Sequence, residues 1–282
     1  MTSEPMKGKV VVITGATSGI GKAMAMELVK KGATITLTTR DMGRGQAVKA
    51  EMLEVSGNPN VEVLLCDLAS FDSIRNFCKA FLSKHDELHV LVNNAGIWDF
   101  DRRISHDGIE RIFAVNFLAP FLMTDLLLGR MKESAPSRIV NVGSALHGGT
   151  VQFEDIEFSS GFSGFRAYRQ SKLALLLYTR LLAKKLEGTG VTVNCVAPGM
   201  VNTNLARDAG PMMRGMFRLL GKSPEKGART PLYVTSSPGV VNMTGEYFSN
   251  MKVKRSSKES YDMELAARLW RVGEGYLKRA GH

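Results

Sequence analysis

The sequence predicts an α/β domain built on a doubly wound parallel sheet. Short apolar segments alternate with longer segments of helical periodicity along most of the 282 residues. A glycine-rich turn, Gly15 to Gly21, follows the first apolar segment and opens the first helical one. Strands that are apolar throughout and separated by helices indicate a parallel sheet with both faces covered.

The first strand is predicted at 9–13 (KVVVI) and the first helix at 20–31, where apolar residues recur at helical spacing. The second strand, 34–38, is rich in β-branched residues. Further strands are predicted at 61–65, 88–92, 138–142 and 191–196. Further helices are predicted at 44–55, 71–83, 108–131 (one long or broken helix) and 166–186. Right-handed crossovers between these strands produce a single doubly wound domain with helices on both faces.

The composition is that of an ordinary globular protein, with 44% hydrophobic and 23% charged residues. The net charge is +10, from 37 basic and 27 acidic residues. A basic surface can attract nucleic acid, anionic lipid or a phosphate-rich cofactor. No zinc-finger spacing, RNP-like motif or dense basic arm is found, so nucleic acid is not an expected partner. The densest basic patch is interpreted as a solvated loop: Lys252, Lys254, Arg255 and Lys258.

The three cysteines, Cys66, Cys78 and Cys195, form no CxxC pair. Buried free thiols and no metal site are therefore expected, which agrees with a reducing compartment. The N-terminus is polar and leads directly into the first strand, and no stretch approaches the roughly 20 apolar residues of a membrane span. The sequence thus predicts a soluble, cytoplasmic protein without a transmembrane segment.

The glycine-rich turn has the sequence TGATSGIG. Glycines let the backbone turn tightly and approach a diphosphate, and the N-terminus of the helix supplies N–H groups and positive potential. Between a strand and a helix, this turn predicts dinucleotide binding rather than a purely structural turn.

Tyr168 and Lys172 are four residues apart and share one face of a predicted helix. A nearby ammonium group favours the phenolate, so Lys172 is expected to lower the pKa of Tyr168 below its usual value near 10. Tyr168 could then exchange a proton with an alcohol or carbonyl oxygen. Ser144 ends a strand at the edge where open α/β sheets bind ligands, and its hydroxyl can hydrogen-bond the same oxygen. Ser144 does not lie in a G-x-S-x-G elbow, so it is not interpreted as a nucleophile.

Together these motifs resemble the short-chain dehydrogenase/reductase family. Its landmarks occur in order over residues 8–205: TGATSGIG, Asn93-Asn94-Ala95-Gly96, Asn116, Ser144, Tyr168-x-x-x-Lys172 and Pro198-Gly199. The resemblance implies a Rossmann-type fold, a nicotinamide cofactor and hydride transfer between a carbonyl and an alcohol. It also implies a core at 8–205, a substrate-lid region at 205–245 and a C-terminal extension at 250–282.

The resemblance implies a role for each of these residues. The implied catalytic residues are Asn116, Ser144, Tyr168 and Lys172, with Asn116 holding a water or a backbone geometry that connects Lys172 to solvent. The implied cofactor-binding residues are Gly15, Thr17, Ser18, Gly19, Ile20, Gly21, Thr39, Arg40, Asp67, Leu68, Asn94, Ala95, Gly96, Tyr168, Lys172, Pro198, Gly199, Val201 and Thr203. Asp67, implied to touch the adenine edge, could equally cap the next helix. His147 is interpreted as loop or pocket lining.

The end of the second strand favours NADP(H) over NAD(H). A carboxylate there would bind the ribose 2′-OH of NAD and repel a 2′-phosphate. By resemblance that position is Thr39, and the next residue, Arg40, has a guanidinium fork that suits a phosphate. Asp41 leaves an alternative open, since a small shift of the loop could bring it to the ribose.

The substrate is indicated only by resemblance to the retinol dehydrogenase branch, including its WW-domain oxidoreductase relatives. The residues that carry it are the long segment between Ser144 and Tyr168, Gly245-Glu246-Tyr247-Phe248, Tyr261-Asp262 and Arg268-Leu269-Trp270. That branch implies reduction of retinal or other lipophilic aldehydes and ketones with NADPH. Unlike members of that branch, this chain is expected to have no N-terminal membrane anchor, so a membrane role for retinoids is not expected.

Residues 205–220 are rich in methionine and lie where a substrate lid would be, although a helix packing on its own domain explains them equally well. Arg207, Arg214 and Arg218 could instead steer an acidic substrate. The resemblance implies a homodimer or homotetramer that pairs through the helices after the fourth and fifth strands. Helices 108–131 and 166–186 are apolar on more than one face, which is consistent with burial beyond the monomer. The alternative function is a non-catalytic NADP-binding sensor that presents residues 250–282 to a partner.

Overall fold

The computed structural model describes residues 6–199, 201, 221–279 and 281. Within these residues, eight strands form one sheet in the order β3-β2-β1-β4-β5-β6-β7-β8. They are β1 (Val10–Ile13), β2 (Thr34–Thr39), β3 (Val61–Leu65), β4 (Val90–Asn93), β5 (Ser137–Val142), β6 (Val191–Ala197), β7 (Tyr247–Ser249) and β8 (Lys252–Val253). All neighbouring strands pair in parallel except β7 and β8, which are antiparallel.

Helices cover both faces of this sheet. One face carries α1 (Gly19–Lys30), α2 (Met42–Ser56) and α7 (Pro224–Ser236). The other carries α3 (Phe71–Leu82), α4 (Arg111–Phe113), α5 (Ala119–Glu133), α6 (Gly164–Lys185) and α8 (Met263–Arg279). The order of the strands reverses between β1 and β4, and this confirms the doubly wound α/β fold.

Every predicted strand and helix is present, with small differences at the ends. The largest difference is at 108–131, where helix begins only at Arg111. Glu110 is the reason, because its buried carboxylate accepts hydrogen bonds from the N–H groups of Ile112 and Phe113, both at 2.8 Å, and so caps the helix.

The predicted break in this helix is a π-helical turn, Ala114–Leu118, between α4 and α5. The turn contains Asn116, which is completely buried. A π-turn widens the helix by one residue and commonly marks a functional site.

The prediction that no stretch is long and apolar enough to cross a membrane does not hold for Arg111–Glu133. Of the helices that the structure describes, this one meets that criterion by length and composition. Its most apolar window is 78% buried inside the protein. Packing in the core therefore accounts for its apolar residues.

The last helix, α8, covers the apolar faces of α5 and α6. The indole of Trp270 packs at 4.8 Å from Phe121 and 5.4 Å from Tyr178, between ring centroids. Gly273 lies against Phe117 and Phe121. The apolar faces of α5 and α6, which suggested contact with a second subunit, are thus covered here by α8 of the same chain.

The C-terminal elements α7, β7, β8 and α8 have no counterpart among the predicted strands and helices. The strands β7 and β8 are only two or three residues long, which is too short for a clear periodic pattern. Helix α7 contains an internal proline, Pro231, which disfavours a helix in the sequence. The basic patch lies on and after β8 and is exposed, in agreement with a solvated segment. The three cysteines are free and buried, as expected.

Trp270→Ala tests the packing of α8. We expect the free energy of unfolding to fall by about 2–4 kcal/mol, slightly less than for a fully buried aromatic residue, because Trp270 is half-buried. Denaturation by urea measures the change, with exposed Met243→Ala as the control. A loss no greater than that of the control would contradict the packing of α8.

Candidate active site

A cavity of ≈ 1240 Å³ opens at the carboxyl ends of the strands, where β1 and β4 lie side by side. Ligands of open α/β sheets bind at such a switch point. Every predicted cofactor-binding residue that the structure describes lines this cavity, and so do Ser144, Tyr168 and Lys172. Asn116 lies beneath it, and Thr203 lies outside the described residues.

The glycine-rich turn forms the floor of the cavity. Gly15 and Gly19 have φ of +64° and +56°, which favours glycine at both positions. A Cβ atom on Gly21 would lie 2.4 Å from the side-chain nitrogen of Asn94 and 2.5 Å from the carbonyl oxygen of Gly15. The N-cap residue of α1, Ser18, makes no side-chain capping hydrogen bond. Gly19, Ile20 and Gly21 in the first turn of α1 line the cavity, and no Ser18 side chain caps their N–H groups.

Asn94 joins the ends of β1 and β4. Its side-chain amide donates to the carbonyl oxygen of Thr14 at 2.8 Å, and its backbone N–H donates to the hydroxyl of Thr14 at 2.9 Å. The N–H of Ala95 donates to the same hydroxyl at 3.0 Å. These bonds hold the segment after β4 against the glycine-rich turn.

At the end of β2, two arginines line the cavity, the predicted Arg40 and the unpredicted Arg44. Asp41 caps α2, since its carboxylate accepts the N–H of Arg44 at 3.1 Å, and it also pairs with the Arg44 guanidinium at 3.3 Å. The hydroxyl of Thr39 donates to the carbonyl oxygen of Asp41 at 2.8 Å. The carboxylate of Asp41 is thus occupied at the start of α2.

Asp67 lines the cavity but does not cap α3. Its carboxylate accepts the N–H of Ala69 at 3.0 Å, two residues along the loop. The cap of α3 is Ser70, whose hydroxyl accepts the N–H of Ser73 at 3.3 Å. The alternative role of Asp67 as a helix cap was wrong, because the helix begins later in the loop.

Ser144, Tyr168 and Lys172 converge on the same part of the cavity. The side chain of Ser144 acts on the Tyr168 hydroxyl, and this interaction favours the phenolate. The Lys172 ammonium lies 5.6 Å from the centroid of the Tyr168 ring and donates to the carbonyl oxygen of Val142 at 3.0 Å. A Cβ atom on Gly96 would lie 3.3 Å from that ammonium, so glycine keeps the approach to it open.

The expected lowering of the Tyr168 pKa by Lys172 was wrong for the protein alone. Burial raises the pKa of Tyr168 to about 12, against a smaller opposite effect of the hydrogen bond to Ser144. Burial likewise lowers the pKa of Lys172 to about 8. Loss of solvation is the largest cause of both shifts, so Tyr168 is a protonated phenol at neutral pH.

Asn116 binds protein groups on two other segments. Its carbonyl oxygen accepts the N–H of Ile97 at 2.9 Å, and its amide nitrogen donates to the carbonyl oxygen of Ile97 at 3.0 Å. The same nitrogen donates to the hydroxyl of Ser171 on α6 at 3.0 Å. Asn116 thus fixes backbone geometry beside the cavity, one of the two roles that the resemblance implied.

His147 is buried but does not line the cavity. Its Nδ1 lies 2.8 Å from the carbonyl oxygen of Ser144, and its Nε2 accepts the N–H of Ser257 at 3.0 Å. The Tyr247 hydroxyl also donates to the Ser144 carbonyl oxygen, at 3.3 Å. His147 therefore ties the loop of Ser144 to the C-terminal segment.

One wall of the cavity is aromatic, which the sequence analysis missed. Trp98, Phe100, Phe162 and Phe165 line the cavity. Two of them directly follow Asn93–Gly96, so their place after the fourth strand was a usable signal. The methionine-rich stretch 205–220, with Arg207, Arg214 and Arg218, lies outside the described residues.

The residues present fit a phosphorylated dinucleotide. The glycine-rich turn leaves space that a Cβ atom would fill, and the N-terminus of α1 offers its N–H groups to a diphosphate. Arg40 and Arg44 supply positive charge at the edge of the same cavity. The cavity is also continuous from this cradle to Tyr168 and Lys172.

Comparison with known proteins agrees with this geometry. Residues 9–214 match the short chain dehydrogenase family. Human retinol dehydrogenase 11 is 42% identical over 270 residues, covering 95% of this chain and 85% of that protein. Human retinol dehydrogenase 14 is 40% identical, with 97% of this chain and 88% of that protein covered.

Solved structures share the fold. An uncharacterised protein from Mycobacterium paratuberculosis superposes with a TM-score of 0.79 at 32% identity, over 96% of this chain and 94% of that one. An NADP complex of RhlG from Pseudomonas aeruginosa has a TM-score of 0.71 at 25% identity, over 88% and 97%. A protein from Beutenbergia cavernae, described as an NAD(P)-dependent gluconate 5-dehydrogenase with NADP bound at low occupancy, has a TM-score of 0.71 at 27% identity, over 87% of this chain and 96% of that one.

Lys172 gives the stability of the protein a pH dependence. Its pKa is about 8 in the folded protein and 10.5 as the ordinary value. Between these values the unfolded chain binds more protons than the folded one, so stability rises with pH. We expect the free energy of unfolding of the wild type to increase relative to Lys172→Met by roughly 3 kcal/mol across this window.

Urea denaturation at a series of pH values measures this difference. Lys184→Met, an exposed position on the same helix, is the control and should show no such trend. Parallel pH profiles for the wild type and Lys172→Met would contradict a buried ammonium with a lowered pKa.

Proposed function

Since the chain belongs to the short-chain dehydrogenase/reductase family, and so is an oxidoreductase acting on carbonyl and alcohol groups, we propose that its cofactor is NADP(H) and its substrate a lipophilic aldehyde or ketone. One observation carries the proposal: a single cavity joins the glycine-rich turn to Ser144, Tyr168 and Lys172. The relatives' names, retinol dehydrogenases, point to a retinal-like carbonyl compound.

The preference for NADP(H) follows from the end of β2. Arg40 and Arg44 both line the cavity, and a guanidinium group binds phosphate through several N–H groups. The carboxylate of Asp41 caps α2 and pairs with Arg44, so it is not placed to bind a ribose hydroxyl. Two of the similar solved structures contain NADP by their descriptions, which supports the same choice.

When bound, the nicotinamide ring supplies the hydride. In reduction, the protonated Tyr168 donates its proton to the substrate oxygen as negative charge develops there. Ser144 assists, because its oxygen accepts the N–H of Leu146 at 3.0 Å while its own hydroxyl proton can bind the substrate oxygen. Lys172, with a pKa of about 8, can return a proton towards Tyr168. Because Tyr168 is buried and its phenol is protonated, it is suited to donate a proton in reduction of the carbonyl substrate.

The aromatic wall supports a lipophilic substrate. Trp98 stacks on Tyr168, and Phe100 and Phe165 pack on Trp98. All three apolar side chains line the cavity. Small-molecule sites of this kind combine mostly apolar walls with a few placed polar groups. A substrate carbonyl at Tyr168 and Ser144 would place the rest of the molecule along this wall.

The sensor alternative has less support. Ala266, Leu269 and Leu277 of α8 are buried against the protein's own core and are not presented to a partner. An oligomer, a cytoplasmic location and a substrate lid stay predictions.

Tyr168→Phe tests the chemistry. Removing the proton donor should lower kcat for carbonyl reduction by about 10²–10⁴-fold while NADPH still binds. Oxidation of NADPH with retinal, straight-chain aldehydes and aromatic ketones measures the rate. Tyr178→Phe, on the same helix but outside the cavity, is the control. Equal activity of Tyr168→Phe and the wild type would rule out the assigned proton donor.

The double variant Arg40→Ser, Arg44→Ser tests the cofactor choice. Loss of charge-assisted hydrogen bonds to a 2′-phosphate should raise KM for NADPH by about 10-fold or more and leave KM for NADH unchanged. Initial rates measured with each cofactor give the two KM values. Lys252→Ser is the control, because it removes a positive charge outside the cavity. An equal effect on both cofactors, or a wild type that prefers NADH, would contradict NADP(H) specificity.

A further inference from the structure

Trp98 packs flat against the ring of Tyr168. The two ring centroids are 4.8 Å apart, and the ring planes differ by 12°. Trp98 is only 6% exposed, and what remains exposed lines the cavity. Aromatic pairs at this separation attract each other beyond the effect of their burial, and they prefer defined orientations.

The indole of Trp98 is itself held by other rings. Phe100 lies nearly parallel to it, with centroids 5.8 Å apart and 9° between the planes. Phe165, in the first turn of α6, lies 5.9 Å away at 37°. Three aromatic side chains from two segments of the chain thus contact the same indole.

The backbone on both sides of Trp98 is held as well. Before it, the N–H and C=O of Ile97 both hydrogen-bond the amide of Asn116. After it, the buried carboxylate of Asp99 pairs with Arg111 through two contacts, one of them at 2.7 Å. Trp98 therefore has little freedom to move away from Tyr168.

The start of α6 also approaches this loop closely. A Cβ atom on Gly164 would lie 1.9 Å from the carbonyl oxygen of Asp99, so only glycine permits the approach. Gly164 lies one helical turn before Tyr168 on α6. The loop and the helix that carries Tyr168 are thus in direct backbone contact.

We propose that Trp98 is a positioning residue for Tyr168. The stacked indole excludes the side-chain rotamers of Tyr168 that would carry its hydroxyl away from Ser144 and the substrate oxygen. A displacement of about 1 Å at a reacting group can cost on the order of 100-fold in rate. This inference deepens the proposed function and rests on it for its kinetic consequence.

The test compares Trp98→Leu, which removes the stacked ring, with Trp98→Phe, which keeps a smaller ring. NMR of ring-labelled tyrosines reports the stacking directly, since the indole shifts the Tyr168 ring resonances, which Tyr168→Phe assigns. We expect Trp98→Leu to lose this shift and Trp98→Phe to retain part of it.

In carbonyl reduction, kcat should fall by about 10- to 100-fold in Trp98→Leu, whereas Trp98→Phe should keep most of the wild-type kcat. KM for NADPH should stay unchanged.

Trp270→Leu is the matched control. Trp270 stacks on Tyr178, another tyrosine of α6, at 5.4 Å and 20°, outside the cavity. Its loss should lower the melting temperature without changing kcat. An equal fall of kcat in Trp270→Leu and Trp98→Leu would attribute the effect to general destabilisation and overturn the proposal.

The proposal would likewise be overturned if Trp98→Leu had the same kcat as the wild type, or if its Tyr168 resonances were unchanged. Absence of carbonyl turnover in the wild type would instead refute the proposed function. In that case the NMR comparison still tests whether Trp98 stacks on Tyr168, because it needs no substrate.

Discussion

A buried amide must find a partner for each of its hydrogen-bonding groups, and Asn116 does so in the middle of a core helix. Asn116 lies in the π-turn, and its side-chain amide binds the N–H and C=O of Ile97 and the hydroxyl of Ser171. Three segments meet at this one amide: the loop after β4, the helix 111–133 and α6. Ser171 in turn donates to the carbonyl oxygen of Tyr168, so the constraint reaches the proposed proton donor.

The sheet, its helices and most of the cofactor cradle could be predicted because their signals are local. A glycine-rich turn between a strand and a helix, and residues at the carboxyl ends of strands, meet at one edge of any parallel sheet. Trp98 also follows a strand at this edge, but its stacking on Tyr168 could not be predicted this way, because the two side chains come from separate segments. Asp41 shows the same limit: its sequence position allowed a ribose contact, whereas its partner turned out to be the first turn of α2.

Burial explains where the sequence-based electrostatics failed. The spacing of Tyr168 and Lys172 correctly predicted that they share a face of α6, but it could not reveal how completely both are removed from water. Desolvation then raises the pKa of Tyr168 and lowers the pKa of Lys172. The helix 111–133 is a parallel case, since its length and composition alone would allow a membrane span, whereas most of its apolar window is buried inside the protein.

Transfer of a labelled hydride is the most direct test that the protein reduces a carbonyl group with NADPH. NADPH carrying two deuterium atoms at C4 of the reduced nicotinamide ring is incubated with the protein and a lipophilic aldehyde such as retinal, and the alcohol product is analysed by mass spectrometry. The account predicts one deuterium on the carbinol carbon, in a reaction that depends on Tyr168. An alcohol formed without deuterium, or oxidation of NADPH with no reduced carbonyl product, would contradict it.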